Sequence, residues 1–594
     1  MTTGAPTPPG ATPEDDPLRF LPLGTDGVLV ETAGPREALA LFSTLVAEPL
    51  GGVTDVVPGE RTVALRYLDS LLTAETLVTV VRRMRVRHDP ARDGRLVVLP
   101  VDPDRAGLAR LADALGSTPD EVLRRHLGGV WAVATTGDAP GTAHLLSADP
   151  GLGDELAALR PDDAAGEDRD DEAPLAGPDP APADDAAPAG PHDDRGTLAL
   201  AAGHLVLRPG GPEPGDVVLG RTAVALWDLR RRVPAALQPG MRVRLVPADD
   251  SVALADAADR GETVVEDEIA VGADEPPSRG GLRVLRPGAH ALVEDLGRPG
   301  RSSLGVSRSG GMDHRAVREA VRLVGMASGG AVLELAGGGF EAVAEGDHVV
   351  ALAGAPVPVV VRTRSGRRHE EVGAPFAIDD GDVLTVGPPP SGAWTCLAVR
   401  GGLAVPAVLE SASGDLRTGT GPGLLGEGDL VPVGTAWAES VAAPAVDAQR
   451  SVPSAAGVTV VDVVLGPRHD LVAPASVAAL VDEPWRVDAA DRVGLRLVGP
   501  EPLGTSCDLV LPREPLVPGG VVAAEDGSLV VAMADHPVTV RRPVVAVVVA
   551  GQLDRMAQVP VGGRVRFRVV PGPVLDGRRE VAVDRDLDER GSEQ

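Results

Sequence analysis

Apolar and polar positions follow two different periods along the chain. In the segment PREALALFSTLVAEPL, residues 35–50, apolar side chains recur at helical spacing and predict a helix with one buried face: Ala38, Leu39, Leu41, Phe42, Leu45 and Val46. Elsewhere the apolar runs are short and broken by proline and glycine, as in VTDVVPGERTVALRYL at 53–68 and GDHVVALAGAPVPVVVRT at 346–363. Such runs predict short strands joined by tight turns. The pattern therefore predicts a mainly β protein with α+β elements.

A further helix is predicted after the sequence SRSGGMD at 307–313. Apolar side chains again recur there at helical spacing: Ala316, Val317, Ala320, Val321 and Val324. Asp313 has the residue type and position of an N-cap, and Gly325 those of a residue that ends a helix. A functional interpretation stays open beside this one. Gly310 and Gly311 would let the backbone approach a ligand, and the start of a helix favours an anion.

Two short stretches repeat one pattern. PGMRVRL at 239–245 and VGGRVRF at 561–567 each place glycine and a spacer before Arg-Val-Arg and an apolar residue. In a strand, this alternation puts the arginines on one face and the apolar residues on the other. Each stretch lies at the end of a β-rich region. The repeat therefore predicts two related β-barrels, each closed by an equivalent last strand, beside a small N-terminal α+β domain.

Composition shifts predict the domain boundaries. Between Pro161 and Arg195 there are twelve acidic residues and two arginines among alanine, proline and glycine, a composition typical of a solvated, disordered segment. This segment is either an acidic docking tail or an expanded surface loop. The predicted division is given in chain order: a disordered tail at 1–16, the small α+β domain at 17–100, a barrel at 101–248 with a disordered acidic insertion at about 155–195, an acidic linker at 249–280, a second large domain at 281–572 and a disordered tail at 573–594.

Charge excludes several classes of partner. The 594 residues carry a formal net charge of −30, which disfavours nucleic acids and anionic membrane surfaces. No apolar run approaches 18 residues and the N-terminus has no signal-peptide pattern, so a cytoplasmic protein is expected. Two cysteines provide neither a disulfide framework nor a zinc site, and no metal site is predicted. The chain has no lysine, so arginine, backbone N–H groups or helix starts must hold any anion.

The second large domain carries specific motifs. EDLGRPG at 294–300 and SGGMD at 309–313 are followed by LGPRHD, ADRVGLRLVG, ADHPVTV and DRMAQVPVGGRVRF, in this order. The region 281–570 resembles the C subunit of 5-oxoprolinase, also known as the allophanate-hydrolase-subunit-2 or carboxyltransferase-like family. That family has glutamine where this chain has Glu294, and arginine where it has Ala412 within a Gly-Ser-Arg-Ser-Thr segment that begins at Glu410.

The region 19–247 resembles the B subunit of the same enzyme, whose relatives include sporulation-kinase inhibitors. PLGTDGVLVE, VTDVVPGERTVALRY, GDAPGTAHL and VVLGRTAVALWD match in order. The chain is thus similar to a B–C fusion, and the resemblance implies a cyclophilin-like β-barrel in each part. Three aromatic residues of the family's B-subunit box are replaced by Asp138, Thr142 and His144. The B-like pocket is therefore expected to have lost its ancestral ligand or to bind a more polar one.

The resemblance implies a hydrolase that opens 5-oxoproline to glutamate with ATP and magnesium, together with a partner similar to the A subunit of 5-oxoprolinase. Its substrate is a small carboxylic acid or lactam. Two alternatives stay open: a non-catalytic small-acid-binding or regulatory protein resembling histidine-kinase inhibitors, and a module associated with allophanate hydrolase or urea amidolyase. A homo-oligomer is a further open alternative.

Such a site needs arginines for an anion, a carboxylate for proton transfer and backbone donors for an oxyanion. The candidate catalytic residues are Asp295, Arg298 and Asp313. The candidate substrate-binding residues are Gly310, Gly311, Arg492, Asp535, Gln558, Gly137, Gly141 and Arg221. His536 is a further polar candidate. A structural role, as a salt bridge or a turn cap, stays open for each charged residue.

Overall fold

The computed structural model describes these residues: 18–86, 89–137, 139–147, 149, 151, 156, 196–201, 204–213, 215–252, 254–255, 263–264, 277–436, 439–443, 452–504 and 511–575. The predicted acidic insertion at about 155–195 lies outside them apart from Leu156. Most of the linker at 249–280 and both predicted tails also lie outside them, except for residues 573–575.

The N-terminal unit is a four-stranded antiparallel sheet in the order β1-β2-β4-β3. Its elements are β1 (Arg19–Pro22), β2 (Gly27–Glu31), α1 (Pro35–Ala47), β3 (Val53–Pro58), β4 (Thr62–Tyr67), α2 (Ala74–Arg83) and α3 (Pro90–Asp93). The helix predicted at 35–50 is confirmed as α1, which begins at a proline, a favoured first residue. Its apolar face packs on the sheet. The prediction that Val46 belongs to this face is wrong, because Val46 lies near the helix end and is 54% exposed.

The first barrel follows. It contains β5 (Leu96–Pro103), α4 (Arg105–Leu115), α5 (Pro119–Val122), a π-helical turn (Leu123–Leu127), β6 (Val130–Thr136), β7 (Ala143–Ser147), β8 (Gly196–Ala201), β9 (His204–Pro209), β10 (Val217–Thr222) and β11 (Arg242–Pro247). The strands close in the order β5-β10-β8-β9-β7-β6-β11, with β11 returning to β5. A short β12 (Thr263–Val264) adds to β5. The predicted boundary at residue 100 therefore falls inside β5.

The region after the linker begins with a two-sheet sandwich. It contains β13 (Ser278–Pro287), β14 (His290–Glu294), a 3₁₀ turn (Ser302–Leu304), α6 (His314–Leu323), β15 (Val332–Ala336), β16 (Phe340–Glu345), β17 (His348–Gly354), β18 (Val359–Thr363), β19 (Gly366–Glu370), β20 (Pro375–Ile378), β21 (Val383–Val386), β22 (Trp394–Val399) and β23 (Leu430–Gly434). The sheets have the orders β19-β18-β21-β16-β13-β23 and β14-β15-β22-β17-β20 and share one apolar core. The apolar face of α6 packs on small residues of the second sheet, including Ala351 and Cys396.

A second closed barrel completes the chain. It contains β24 (Val458–Leu465), a 3₁₀ turn (His469–Leu471), α7 (Pro474–Asp482), β25 (Trp485–Ala490), β26 (Gly494–Val498), β27 (Glu514–Pro515), β28 (Gly520–Ala523), β29 (Leu529–Ala532), β30 (Thr539–Val540), β31 (Val544–Val548), a 3₁₀ turn (Ala550–Gln552), α8 (Leu553–Ala557) and β32 (Arg564–Val569). The barrel order is β24-β31-β28-β29-β26-β25-β32, while β27 pairs with β30 outside the barrel.

The two barrels share one topology. Leaving out the outlying β27 and β30, the strands of each barrel meet in the sequence order first, sixth, fourth, fifth, third, second, seventh. The repeated Arg-Val-Arg strands, β11 and β32, each pair in parallel with the first strand and antiparallel with the second. The expectation of two related barrels closed by equivalent last strands is confirmed, as is the mainly β fold class.

The N-terminal sheet packs directly on the second barrel. Leu21, Leu29 and Ala64 from the sheet form one buried cluster with residues of the barrel region that include Leu516 and Val547. At the edge of this contact, the Arg468 guanidinium donates to Glu514 and, at 3.0 Å, to Glu31 Oε1. The B-like and C-like parts thus face each other within one chain. We call this contact and its polar margins the seam.

Candidate functional site

Two turns touch each other beside the seam. The turn at 295–298 follows β14, and the turn at 309–312 precedes α6. A Cβ on Gly310 would lie 2.7 Å from Gly297 N, and one on Gly297 would lie 2.4 Å from Arg308 O. Both glycines have positive φ, +90° and +80°. Gly310, predicted to let a ligand approach, therefore lets one turn approach the other.

A buried arginine organises these turns. Arg492 Nε donates to Asp535 Oδ2 at 2.8 Å, Nη2 lies 3.0 Å from Glu294 Oε1, and Nη1 donates to Glu334. Nη2 also donates to Gly310 O at 2.8 Å, while Met312 N donates to Glu334 Oε1 at 2.6 Å. Arg492 is 3% exposed and the three carboxylates 0–1%. We call these four side chains the Arg492 cluster.

One guanidinium cannot balance three carboxylates in this interior. Burial raises the pKa of Glu334 to about 7, that of Asp535 to about 6 and that of Glu294 well above its usual value, although Arg492 opposes each shift. Neither Glu294 oxygen has a hydrogen-bond partner among the described residues, and the Ser413 hydroxyl donates to Asp295 Oδ1 at 2.6 Å. The cluster can therefore hold protons near neutral pH, in the range useful for acid–base chemistry, but it is sealed from solvent.

Asp295 clamps one loop to another. Its Oδ1 accepts from Gly297 N at 2.7 Å and from the Ser411 and Ser413 hydroxyls at 2.6 Å each. Its Oδ2 accepts from Ala412 N at 2.8 Å. Because both carboxylate oxygens are already engaged, this geometry suits a structural role.

Arg298 lies buried between the same loops. Its Nη2 donates to Ser413 O and its Nε to Val408 O at 3.4 Å, while Nη1 has no hydrogen-bond partner among the described residues. Burial lowers the pKa of Arg298, and the nearby Asp415 opposes that shift. Asp415 accepts from Ser307 Oγ at 3.0 Å. Arg298 thus joins the two loops and extends the buried polar network beyond the Arg492 cluster.

Asp313 is confirmed as the N-cap of α6. Its Oδ1 accepts from Arg315 N at 3.1 Å and from Ala316 N at 2.8 Å. Its Oδ2 accepts from Gln558 Nε2 at 2.7 Å, and the Gln558 carbonyl accepts from Ala393 N at 2.9 Å. Gln558 therefore ties α6 to the second barrel, and burial raises the pKa of Asp313. Gly311 is packed closely too, since a Cβ there would lie 2.5 Å from Val317 Cγ2.

The candidate residues of the B-like part lie elsewhere, on the first barrel. A Cβ on Gly137 would meet His144 Nε2 at 2.9 Å, and Gly141, with φ +80°, lies against Trp227. Arg221 is exposed on β10. These three residues do not join the Arg492 cluster, to which the candidates Arg492 and Asp535 belong and to which the Gly310 carbonyl is hydrogen-bonded.

Sequence reasoning named only His536 from a group of polar side chains at the seam and missed the others. Its arginine, Arg308, is partly buried and uses Nε to donate to Leu296 O at 3.3 Å. Its two terminal nitrogens have no hydrogen-bond or ion-pair partner among the described residues. Burial lowers the pKa of Arg308, and the charges of Arg66 and Arg318 lower it further, whereas Asp26 and Asp55 oppose this. A cation in such surroundings suits an anionic ligand.

The other members of this group come from both halves. Ser302 donates to Asp55 on β3, and burial raises the pKa of Asp55. Burial lowers the pKa of His536 to about 4, so the ring is neutral; Nδ1 donates to Pro537 O at 2.7 Å. Its Nε2, which makes no hydrogen bond with the described residues, is then an acceptor. We call Asp55, Arg66, Ser302, Arg308 and His536 the seam group.

Backbone strain concentrates beside these residues. Ser309, Leu409 and Glu410, with φ of 52°, 53° and 69°, are the three non-glycine residues with positive φ in the described part of the chain. Ser309 follows Arg308, and the other two precede the loop that Asp295 clamps. Strained conformations often mark functional sites, so these positions point to the same region.

Replacing Glu410 with glycine is expected to stabilise the protein by about 0.5–1 kcal/mol, because glycine adopts this left-handed conformation without a Cβ clash. The exposed Glu410–Arg301 ion pair that would be lost contributes little. Urea unfolding would measure the change. Glu427→Gly, at an exposed turn position without positive φ, is the control and should be destabilising. A loss of stability in both variants would contradict the prediction.

Other buried polar residues left weaker signals in the sequence. Glu334 is a lone acidic residue in the apolar strand VLELA, a pattern that could have marked it as buried and paired. Asp415, whose carboxylate also accepts from Arg417 N and Thr418 N, gave no comparable signal. Among the described residues, no group of three or more acidic, histidine or cysteine side chains could hold a metal ion. No helix in this part of the chain is long and apolar enough to span a bilayer.

A small depression of about 10 Å³ lies in the sandwich. Its lining is mostly apolar and includes His290, Phe340 and Val386. None of the candidate site residues lines this depression, so it does not mark the candidate functional site.

Comparisons with known proteins agree with this architecture. The family model "Carboxyltransferase domain, subdomain A and B" matches residues 304–569, and "Carboxyltransferase domain, subdomain C and D" matches residues 18–156. The C subunit of 5-oxoprolinase from Escherichia coli K12 is 30% identical over 296 residues, which cover 48% of this chain and 90% of that protein. The urea amidolyase of Lachancea kluyveri is 29% identical over 237 residues, 37% of this chain and 13% of that protein.

A solved structure extends the similarity to almost the whole chain. The crystal structure of TTHA0988 in space group P212121 has a TM-score of 0.71 and 28% sequence identity. The match covers 91% of this chain and 99% of that one. The B-like and C-like parts are therefore joined in one chain there as well.

Proposed function

Because the chain belongs to the carboxyltransferase-domain family that includes the C subunit of 5-oxoprolinase, we propose that it is a component of an ATP-dependent 5-oxoprolinase or a related amidohydrolase. The reaction would open the lactam of 5-oxoproline to glutamate, in the cytoplasm and with a separate partner similar to the A subunit of that enzyme. Support comes from the relative of which this chain covers 90% and from motifs shared along residues 281–570.

The seam group is the main support for the proposed class of substrate, a small molecule with a carboxylate and a lactam. Arg308 offers two terminal nitrogens that have no partner among the described residues, in the planar geometry that binds a carboxylate through two hydrogen bonds. His536 offers a neutral acceptor nitrogen that suits an amide N–H. Ser309 N donates to Ala534 O at 3.1 Å, so the segments that carry Arg308 and His536 are adjacent. A small molecule that carries both a carboxylate and a lactam N–H would suit these two residues. The Arg492 cluster would hold Arg308 in place, since it fixes the neighbouring Gly310 and Met312 backbone.

ATP with magnesium, which the family resemblance implies, fits this chain poorly. Among the residues that the structure describes, no group of three or more acidic, histidine or cysteine side chains could hold a metal ion. We therefore place nucleotide binding on the separate partner. This chain would bind and orient the small acid and exclude water from it.

Arg308→Met is expected to weaken 5-oxoproline binding by about 10- to 100-fold, the usual loss for a hydrogen-bonded charged pair. Titration calorimetry of the full chain with 5-oxoproline would measure it. Arg564→Met is the matched control, because Arg564 is exposed on the second barrel and should leave the affinity unchanged. Equal affinities of wild type and Arg308→Met would contradict the assignment of the seam group.

The enzyme hypothesis has its own test. Purified chain mixed with ATP, 5-oxoproline and the cognate A-type partner should yield glutamate, and omission of this chain should abolish the product. The competing hypothesis is a small-acid-binding regulatory protein, favoured by the sealed Arg492 cluster and by the three aromatic residues missing from the B-like box. Binding of 5-oxoproline without any glutamate formation would favour that second hypothesis.

A further inference from the structure

The common topology of the two barrels allows their first strands to be compared residue by residue. Arg244 of β11 pairs with Val98 of β5, and Arg566, the equivalent arginine of β32, pairs with Val460 of β24. Val98 and Val460 therefore occupy the same position on the outer surface of their barrels. Their surroundings differ.

In the first barrel, the outer surface of this strand is covered. After the closing strand the chain turns back, and β12 pairs in parallel with β5 at Val97 and Val98. Leu254, from the same returning segment, packs on Val98 and Val246. Val98 is 0% exposed as a result.

In the second barrel, the equivalent edge has no partner strand among the described residues. β31 pairs with β24 only from Val463 onward. The backbone of Asp462 faces this edge, since Asp462 N donates to Gln552 Oε1 and Val549 N donates to Asp462 O, both at 3.0 Å. Backbone groups alternate along a strand, so those of Val458 and Val460 face the same edge. Their side chains are 40% and 38% exposed.

We propose that the C-terminal segment 576–594 adds a strand to this edge of β24, as β12 does on β5. This segment lies outside the described residues, and its sequence carries the argument. Residues 262–266, which contain β12, read ETVVE, and residues 580–584 read EVAVD. Each stretch places three small or β-branched residues between two acidic ones. Each also follows the closing strand of its barrel.

The charge of the segment agrees with this occupant. Arg564 and Arg566 are exposed on β32, across β24 from this edge, and residues 576–594 carry seven acidic side chains against four arginines. The last described residue, Leu575, packs against the apolar core of the N-terminal sheet. Val581 is the sixth residue after Leu575, and a stretch of six residues can span about 20 Å when extended. Intramolecular attachment keeps the effective concentration of such a segment in the millimolar range.

Hydrogen exchange at the Val458 and Val460 amides tests the proposal. In the full chain these amides should exchange at least 10-fold more slowly than in a variant that ends at Leu575. Val583→Pro should accelerate exchange as the truncation does, because in the register of β12 on β5 the Val583 N–H faces β24 and proline lacks this donor. Ser592→Pro, outside the repeated pattern, is the matched control and should leave exchange unchanged. Neither proline lies in the described fold, so loss of folding does not confound the result.

Two results would overturn the proposal. One is equal exchange at both amides in the full and truncated chains. The other is protection that rises with protein concentration, because the added strand would then come from a second copy. Slow exchange in the truncated variant after addition of a synthetic 576–594 peptide would support the assigned occupant independently.

Discussion

Arg492→Met is expected to lower the free energy of unfolding by about 3–5 kcal/mol at pH 7.5. Three buried carboxylates, Glu294, Glu334 and Asp535, would lose the one cation among them, and breaking a buried ion pair from one side has this cost. The Gly310 carbonyl would also lose its donor. Urea unfolding followed by circular dichroism would measure the loss.

The loss should depend on pH. Without Arg492 the three carboxyls favour their protonated forms even more strongly, so the deficit should be smaller at pH 5 than at pH 8. Arg492→Lys keeps the charge but cannot match the three-sided hydrogen bonding, and an intermediate loss is expected. A deficit below about 1 kcal/mol for Arg492→Met at pH 8 would show that the cluster does not support the fold as described.

Glu294→Gln is expected to act in the opposite direction and stabilise the protein by about 1–3 kcal/mol at pH 8. Burial raises the pKa of Glu294 well above its usual value, and Glu334 and Asp535 raise it further against Arg492. The folded state therefore holds a proton that the unfolded state releases. Stability from this group is present at low pH and is lost as pH rises toward the folded-state pKa. Glutamine removes that loss.

The difference between wild type and Glu294→Gln should therefore shrink as the pH is lowered from 8 to 5. Unfolding curves at several pH values would measure it. Glu371→Gln, at an exposed loop position, controls for the change in net charge and should have little effect. A destabilised Glu294→Gln protein at pH 8 would mean that the Glu294–Arg492 ion pair outweighs the burial of the charge.

Local sequence signals predicted local structure well. The Asp313 cap, the helix behind it and the two Arg-Val-Arg strands each depend on residues within one turn or one strand, and all of them are confirmed. Periodicity predicted a mainly β protein, and the motif resemblance added the prediction of a cyclophilin-like barrel in each part. The prediction that Val46 is buried was wrong, because an apolar side chain at the end of a helix can fit the helical period without facing the core.

The site was less accessible to sequence reasoning, because its partners are far apart in the chain. Arg492 meets Glu334 and Glu294 across more than 150 positions, and Ser302 meets Asp55 across 247. No period or motif links such residues. Asp295 was proposed for catalysis on its motif, yet its carboxylate is fully engaged by the loop at 411–413. The sequence motif identified Asp295 as a candidate position. The residues that contact it could be known only from the folded structure.

The seam also sets the timing of folding on the ribosome. The sheet residue Leu29 is buried against Val547, which is made more than 500 residues later. At about 5–20 residues per second, that delay is roughly 25–100 s. During this interval the nascent sheet has an uncovered apolar face, which makes it a natural client for chaperones, and the N-terminal unit reaches its final stability only when synthesis is nearly complete.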